Sequence, residues 1–207
     1  MLTIYLTRHG ETQWNIENRL QGSMDSELTE KGISDTKFLS KKLSEIEINK
    51  IYSSPSKRAV KTAEIIRNNS EVLIIELDGL KEINFGEWEG KTKSEINEGY
   101  LNKFSSLWDS PHTYDHIPHR GESLNDFIDR VENVMAEILR TNDFGNVLIV
   151  THAVVLATIV AYFKKASIEN LWDLPYVHGT SLTIIELDDE SKLQQFKLLC
   201  DMSHLEY

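Results

Sequence analysis

The spacing of apolar residues changes period along the chain, and each change predicts an element. Leu2, Ile4 and Leu6 recur at every second position, the period of a strand, and predict one over 2–7. LTEKGISDTKFLSKKL, from Leu28 to Leu43, carries its apolar residues at near-helical spacing. IYSS at 51–54 predicts a short strand, and Ser54 followed by Pro55 predicts a helix start. A serine hydroxyl accepts from free amides, and proline suits the first helical position. VLIIEL at 72–77 is a continuous apolar run and predicts a third strand. The clearest helix follows Ser123, where Leu124, Phe127, Ile128, Val131, Val134, Met135, Ile138 and Leu139 keep to the i, i+3, i+4, i+7 rule. VLIV at 147–150 reads as a buried strand and Ala153 to Lys164 as a helix. TSLTIIEL and LQQFKLLC, connected through Asp188 and Asp189, predict a terminal hairpin. Between Thr92 and His119 the pattern dissolves into an aromatic, histidine-bearing stretch of short helices and loop.

Strands separated by helices predict an α/β fold: a largely parallel sheet with helices on both faces, made mixed by the hairpin. Ligands of such sheets sit beyond the carboxyl ends of the strands. Four groups stand there: Arg8-His9-Gly10, Ser53-Ser54 running into Arg58, Leu80-Lys81-Glu82, and Thr151-His152. With 40% hydrophobic residues and no repeat, low-complexity tract or linker, residues 1–207 are expected to form a single domain.

Composition narrows the partners. With 33 acidic against 22 basic side chains, the formal net charge is -11. That argues against a nucleic-acid or anionic-membrane surface, since such partners usually demand a basic patch. A few arginines gathered in one cleft can still hold phosphate, because distant carboxylates are screened beyond about 10 Å. Cys200 is the single cysteine, which precludes an intrachain disulfide and suits a small core residue. The N-terminus lacks the pattern of a signal peptide, and the longest apolar run, AVVLATIVAYF at 153–163, is too short to span a bilayer. A soluble, cytoplasmic protein is expected.

The strand-end residues suggest a chemistry. Guanidinium forks match phosphate oxygens, so Arg8 and Arg58 read as clamps on a phosphoryl group. A neutral His9 can attack phosphorus to form a phosphohistidine while His152 stabilises the equatorial oxygens. A protonated Glu82 can supply the proton that a departing alkoxide needs. No metal or cofactor is called for. His112, His116 and His119 invite a zinc reading by spacing, but Pro111 and Pro118 interrupt the segment and no further ligand completes a set. FGEWEGKT at 85–92 is one residue too short for a P-loop and carries Glu87 and Glu89 where phosphates would lie.

Five motifs carry a resemblance. Thr7-Arg8-His9-Gly10-Glu11-Thr12 with Trp14-Asn15, SSPSKRAVKTAE at 53–64, LKEINFGEWEG at 80–90, GES at 121–123 and VTHAVVLAT at 150–158 occur in family order. Together they resemble the histidine phosphatase superfamily, in its phosphoglycerate-mutase-like branch. The resemblance implies a three-layer α/β/α sandwich with a mixed six-stranded sheet. It implies His9 as the phosphorylated residue, Glu82 as proton donor and later base, and a phosphate pocket of Arg8, Arg58 and His152. Asn15, Gln21 and Gly22 are implied as polar or backbone contacts. Many relatives have glycine where this chain has Ala153, whose amide remains able to face phosphate.

LWDSPHTYDHIPHRGES at 107–123 and LWDLPYVHGTSLTIIELDD at 171–189 resemble bacterial broad-specificity phosphatases. Phe104, Trp108, His112, Tyr114 and His116 suit a partly apolar alcohol bearing one phosphate, a small phosphorylated metabolite. The expected activity is metal-independent hydrolysis of phosphate monoesters through a phosphohistidine. A cofactor-dependent phosphoglycerate mutase and a non-catalytic phosphate-binding module are the alternatives.

Overall fold

A computed structural model describes residues 1–100, 103–188 and 193–205. Its centre is a six-stranded sheet of order β3-β2-β4-β1-β5-β6. The middle strand β1 (Leu2–Arg8) pairs parallel with β4 (Gly145–Thr151) and antiparallel with β5 (Leu182–Asp188). On the far side of β4, β2 (Lys50–Ser53) and β3 (Ile74–Glu76) continue the parallel half. β6 (Leu193–Asp201) closes the antiparallel edge. Seven α-helices accompany the strands among the described residues: α1 (Gln13–Ile16), α2 (Glu30–Leu43), α3 (Lys57–Arg67), α4 (Lys93–Tyr100), α5 (Lys103–Asp109), α6 (Leu124–Arg140) and α7 (Ala153–Lys164).

Because side chains alternate across a strand, the sheet buries two apolar faces. Leu2, Ile4 and Leu6 of β1 join Val147 and Ile149 of β4 against α6 and α7, while Tyr5, Ile51, Leu148 and Val150 face α2 and α3 on the other side. The result is three layers, α/β/α, as the resemblance implies. The helices differ as their positions require. α6 shows a single apolar stripe with Phe127, Val131 and Met135 buried. α7 is apolar nearly all round and is buried from Val154 to Ala161. No helix among the described residues is long and apolar enough to cross a membrane.

Two expectations are corrected. The helix foreseen at Ser54-Pro55 begins at Lys57, and its preceding residue Ser56 makes no side-chain cap bond. The cap comes from a distant loop, where the Asp25 carboxylate accepts from the Lys57 amide at 2.7 Å and the Arg58 amide at 3.4 Å. The strand foreseen at 72–77 shrinks to Ile74–Glu76, because only three residues find partners in β2. The hairpin strands form as expected, but Asp189 lies outside the described residues.

Close backbone packing sets the loop that follows β1. A Cβ on Gly32 would sit 2.1 Å from the Glu11 carbonyl oxygen, and one on Gly10 would sit 2.8 Å from the Gly32 carbonyl oxygen. Thr29, which caps α2, also donates to the Glu11 carboxylate at 2.8 Å. α2 is thereby strapped to the residues immediately after His9. Gly32→Ala is expected to destabilise the protein by roughly 1–3 kcal/mol through overpacking against backbone. Urea unfolding monitored by circular dichroism measures this.

Candidate active site

The parallel register brings chain ends that are remote in sequence to one place. Arg8 lies opposite Thr151, the last residues of β1 and β4. The next amides stay in ladder order, His9 N donating to Thr151 O at 2.9 Å and Ser54 N to Val150 O at 3.0 Å. His9 and His152 thus leave adjacent strands side by side, with ring centroids 5.2 Å apart and planes inclined at 64°.

Arg58, in the first turn of α3, lies between the two rings and is 2% exposed. Its Nε donates to His9 Nε2 at 3.2 Å, and its Nη2 donates to His152 Nδ1 at 3.0 Å and Gly22 O at 2.9 Å. Nη1 donates to Met24 O at 2.7 Å and Asp25 Oδ1 at 2.8 Å. A guanidinium only donates, so His9 Nε2 and His152 Nδ1 are both acceptors. The hydrogen-bond network then assigns both tautomers of the neutral rings. His9 carries its proton on Nδ1, which donates to Gly10 O at 2.8 Å. His152 carries its proton on Nε2, which donates to Ser54 Oγ at 2.8 Å. Burial, reinforced by the Arg58 guanidinium, holds both imidazoles well below their ordinary pKa.

Glu82 follows the 3-10 turn Asp78–Leu80 and is buried at the N-terminus of α7. Its carboxyl accepts from Ile83 N at 3.1 Å and Val154 N at 3.3 Å. Burial raises its pKa in spite of those amides and the two nearby arginines. The loop that carries it is clamped from α6: Arg130 donates to Gly79 O at 3.0 Å, Lys81 O at 2.9 Å and the Glu122 carboxylate at 2.8 Å. Arg8 donates through Nη1 to Val177 O at 2.8 Å, while its buried Nε has no hydrogen-bond partner. Burial lowers the Arg8 pKa, with no loss of charge at neutral pH. An unsatisfied guanidinium N–H beside two imidazoles is suited to receive an anionic oxygen.

A cavity of about 430 Å³ is lined by Arg8, His9, Arg58 and Glu82, while the fully buried His152 stands behind Arg58 and does not line it. Asn15, Gln21, Gly22 and Ala153 line it as well. The Asn15 Oδ1 is fixed by Thr12 N and Thr12 Oγ1, each at 3.0 Å, so its amide donors are left for other partners. Gln21 is largely committed to the loop, donating to Thr12 Oγ1 at 2.8 Å and accepting from Ser26 Oγ at 3.3 Å. Gly22 takes φ of +55°, a conformation that favours glycine, and turns its carbonyl to Arg58.

The apolar end of the cavity differs from expectation. Of the residues foreseen there, Trp108 lines it, but His112, Tyr114 and His116 do not. Tyr114 instead packs beside Trp88 and His119, and His119 stacks on Trp88 with ring centroids 3.6 Å apart. The Phe104 side chain falls outside the described residues. The wall is completed by Trp172, Leu174, Pro175, Tyr176 and Val177. Trp172 packs against Trp108 with centroids 5.5 Å apart and donates to Leu107 O at 2.7 Å. This segment and Asp25 are not among the residues the sequence places at the site, and Ser54, which it does place at a strand end, is given no role there. The segment's composition, LWDLPYV, held the signal: an aromatic, proline-bearing loop between a helix and a strand. Among the described residues, no three His, Cys, Asp or Glu side chains gather closely enough to hold a metal ion.

Residues 4–199 match the family described as "Histidine phosphatase superfamily (branch 1)". The solved structure of YhfR from Bacillus stearothermophilus superposes with a TM-score of 0.93 at 44% identity, covering 100% of both chains. Phosphoserine phosphatase 1 of Hydrogenobacter thermophilus is 29% identical over 91% of this chain and 88% of its own. The 2,3-bisphosphoglycerate-dependent phosphoglycerate mutase of Cytophaga hutchinsonii is 28% identical over 100% of this chain and 93% of its own.

Burial shifts His9, His119, His152 and His204 below the ordinary imidazole value. Below about pH 6.5 the unfolded chain therefore binds protons that the folded chain refuses, and stability declines as pH falls. Glu82 works in the opposite sense, since its raised pKa favours the folded state at low pH and that contribution fades as pH rises. Four histidines outweigh one carboxyl. The urea midpoint is expected to drop between pH 7.5 and pH 5.5, measured by fluorescence of the tryptophans.

Proposed function

The chain belongs to the histidine phosphatase superfamily, branch 1, and on that premise we propose that it is a phosphatase that hydrolyses small phosphate monoesters through a phosphohistidine at His9, with residues 1–207 working as one domain. The observation that carries the reading is the tautomer of His9. Its Nδ1–H is tied to Gly10 O, which leaves the Nε2 lone pair beside Arg58. A neutral ring with that lone pair is a nucleophile, and the depressed pKa keeps it so at neutral pH.

Substrate phosphate takes the place of the imidazole acceptors on Arg58 Nε and Nη2 and engages the Arg8 Nε. His9 Nε2 attacks phosphorus in line, forming a P–N bond as the ester P–O bond breaks. The departing alkoxide takes the proton of Glu82, whose raised pKa keeps it protonated for the task. The resulting carboxylate then takes a proton from water, whose oxygen attacks the phosphohistidine and releases inorganic phosphate and neutral His9. Trp108, Trp172, Leu174 and Val177 receive the apolar part of the alcohol.

A mutase must hold a second anionic group on the substrate. Beyond Arg8 and Arg58 the cavity is lined by two cations, Arg19 and Lys93, and the guanidinium of Arg19 is already engaged by Glu17 at 2.9 Å, Gly90 O at 2.7 Å and Glu95 at 3.4 Å. That favours hydrolysis of a singly phosphorylated alcohol over transfer to a second one. The buried, lone Cys200 fits a reducing, cytoplasmic setting.

His9→Ala is expected to lower the turnover of p-nitrophenyl phosphate by about 10³-fold or more. Rapid quench of the unaltered enzyme is expected to trap phosphate on His9, stable to base and labile to acid. Retention of full activity by the alanine variant would refute the reading. Glu82→Gln is expected to lower kcat/KM for esters of poorly acidic alcohols by about 10²–10⁴-fold while sparing kcat/KM for nitrophenyl esters, whose leaving group departs without a proton; turnover falls for both, because hydrolysis of the phosphohistidine has lost its base. The same substitution should abolish the alkaline limb of kcat/KM, where activity falls as Glu82 loses its proton.

A further inference from the structure

Ser54 is buried, and its hydroxyl is the partner of His152 Nε2 at 2.8 Å. A second hydroxyl continues the line: Ser54 Oγ donates to Ser56 Oγ at 3.2 Å, and Ser56 is half-buried at the start of α3 with no cap bond to make. The kind of partner matters. A carboxylate or a carbonyl at Nε2 would only accept and would fix the proton there. A hydroxyl both donates and accepts, so it is compatible with either tautomer of the ring.

The two states of the site demand opposite tautomers. With Arg58 on the ring, Nδ1 accepts and Nε2 bears the proton. Once Arg58 turns its Nη2 hydrogen to a phosphate oxygen, the His152 Nδ1 lone pair would face that anion, an arrangement that repels. Nδ1 must then carry a proton and donate. Asp25 offsets part of the Arg58 charge, and it is burial of the ring beside the Arg8 and Arg58 guanidiniums that disfavours an imidazolium and keeps the ring neutral.

We infer that the Ser54–Ser56 hydroxyl pair is a reversible proton wire that switches His152 from acceptor to donor when phosphate binds, making Ser54 a positioning residue for the reaction. The inference rests on the reading of His152 as a ligand of the phosphoryl oxygens. The step balances. The Nε2 proton passes to Ser54 Oγ, the Ser54 proton to Ser56 Oγ, and the Ser56 proton to water. One proton is taken up at Nδ1 from water admitted as Arg58 turns its hydrogen to the phosphate. Afterwards Ser54 donates to Nε2, Ser56 donates to Ser54, and the ring is neutral as before.

The test is nitrogen-15 NMR of the histidine rings in the unaltered protein, with and without saturating inorganic phosphate, where protonated and unprotonated ring nitrogens are resolved directly. His152 is expected to carry its proton on Nε2 in the free protein and on Nδ1 in the complex. Ser54→Ala is expected to lower kcat/KM and weaken phosphate binding by about tenfold or more, and Ser54→Thr, which keeps the hydroxyl, to restore most of both. A His152 ring that keeps its Nε2 proton, or is protonated on both nitrogens with phosphate bound, overturns the wire; if the His9 resonances move in the same experiment, the phosphatase reading survives that failure. Phosphate that moves neither ring overturns the wire and that reading together.

Discussion

A buried cation must have its hydrogen bonds met, and the guanidinium of Arg58 meets this demand by organising everything around it. Its donors reach the imidazole after β1, the carbonyls of Gly22 and Met24, the carboxylate of Asp25, and the imidazole after β4. Three parts of the chain are therefore oriented by one side chain. Asp25 contributes twice, neutralising Arg58 and capping the helix that carries it. The helix start, the loop before α2 and both imidazoles form one cooperative unit. Such a network leaves little room for an isolated change, because removing one partner strands the others in a place water does not reach.

This explains how a chain of net charge -11 can hold an anion. The excess of carboxylates is a property of the whole surface and acts weakly through screened solvent. The cleft is governed by groups within hydrogen-bond reach, where Arg8 and Arg58 stand with two neutral imidazoles and a carboxyl whose pKa is raised. The carboxylate in direct contact with Arg58, Asp25, binds its Nη1 edge and leaves the Nε and Nη2 hydrogens to the imidazoles.

What the sequence made legible follows from how locally each feature is encoded. β1, α6 and α7 could be read because their apolar periodicity is determined by burial against a single neighbouring layer. Arg8, His9, Arg58, Glu82 and His152 could be brought together because parallel strands deliver their carboxyl ends to one edge. The start of α3 could not be placed, since its cap is Asp25, about thirty positions away, and Ser54 is occupied with His152. The aromatic wall was assigned to 104–116 when most of it comes from 172–177. Both segments are rich in aromatics, and composition does not say which will face the cavity and which, like Tyr114, will pack under Trp88 and His119.

The proposed reaction needs an unprotonated imidazole beside a protonated carboxyl, the reverse of their order of basicity in water, where a proton shared between them would sit on the imidazole. Desolvation supplies both, because it disfavours whichever form of a group is charged, and it is the largest influence on His9, His152 and Glu82 alike. The arginines are exempt, their pKa being too high for burial to discharge them. A single low-dielectric cleft therefore sorts its residues by intrinsic basicity into fixed cations, a neutral nucleophile and a neutral acid. An arriving dianion pushes all the titratable groups toward protonation. That reinforces Glu82 in its role, while at His9 the pull is opposed by Arg58 and Arg8, the charges the anion itself comes to neutralise.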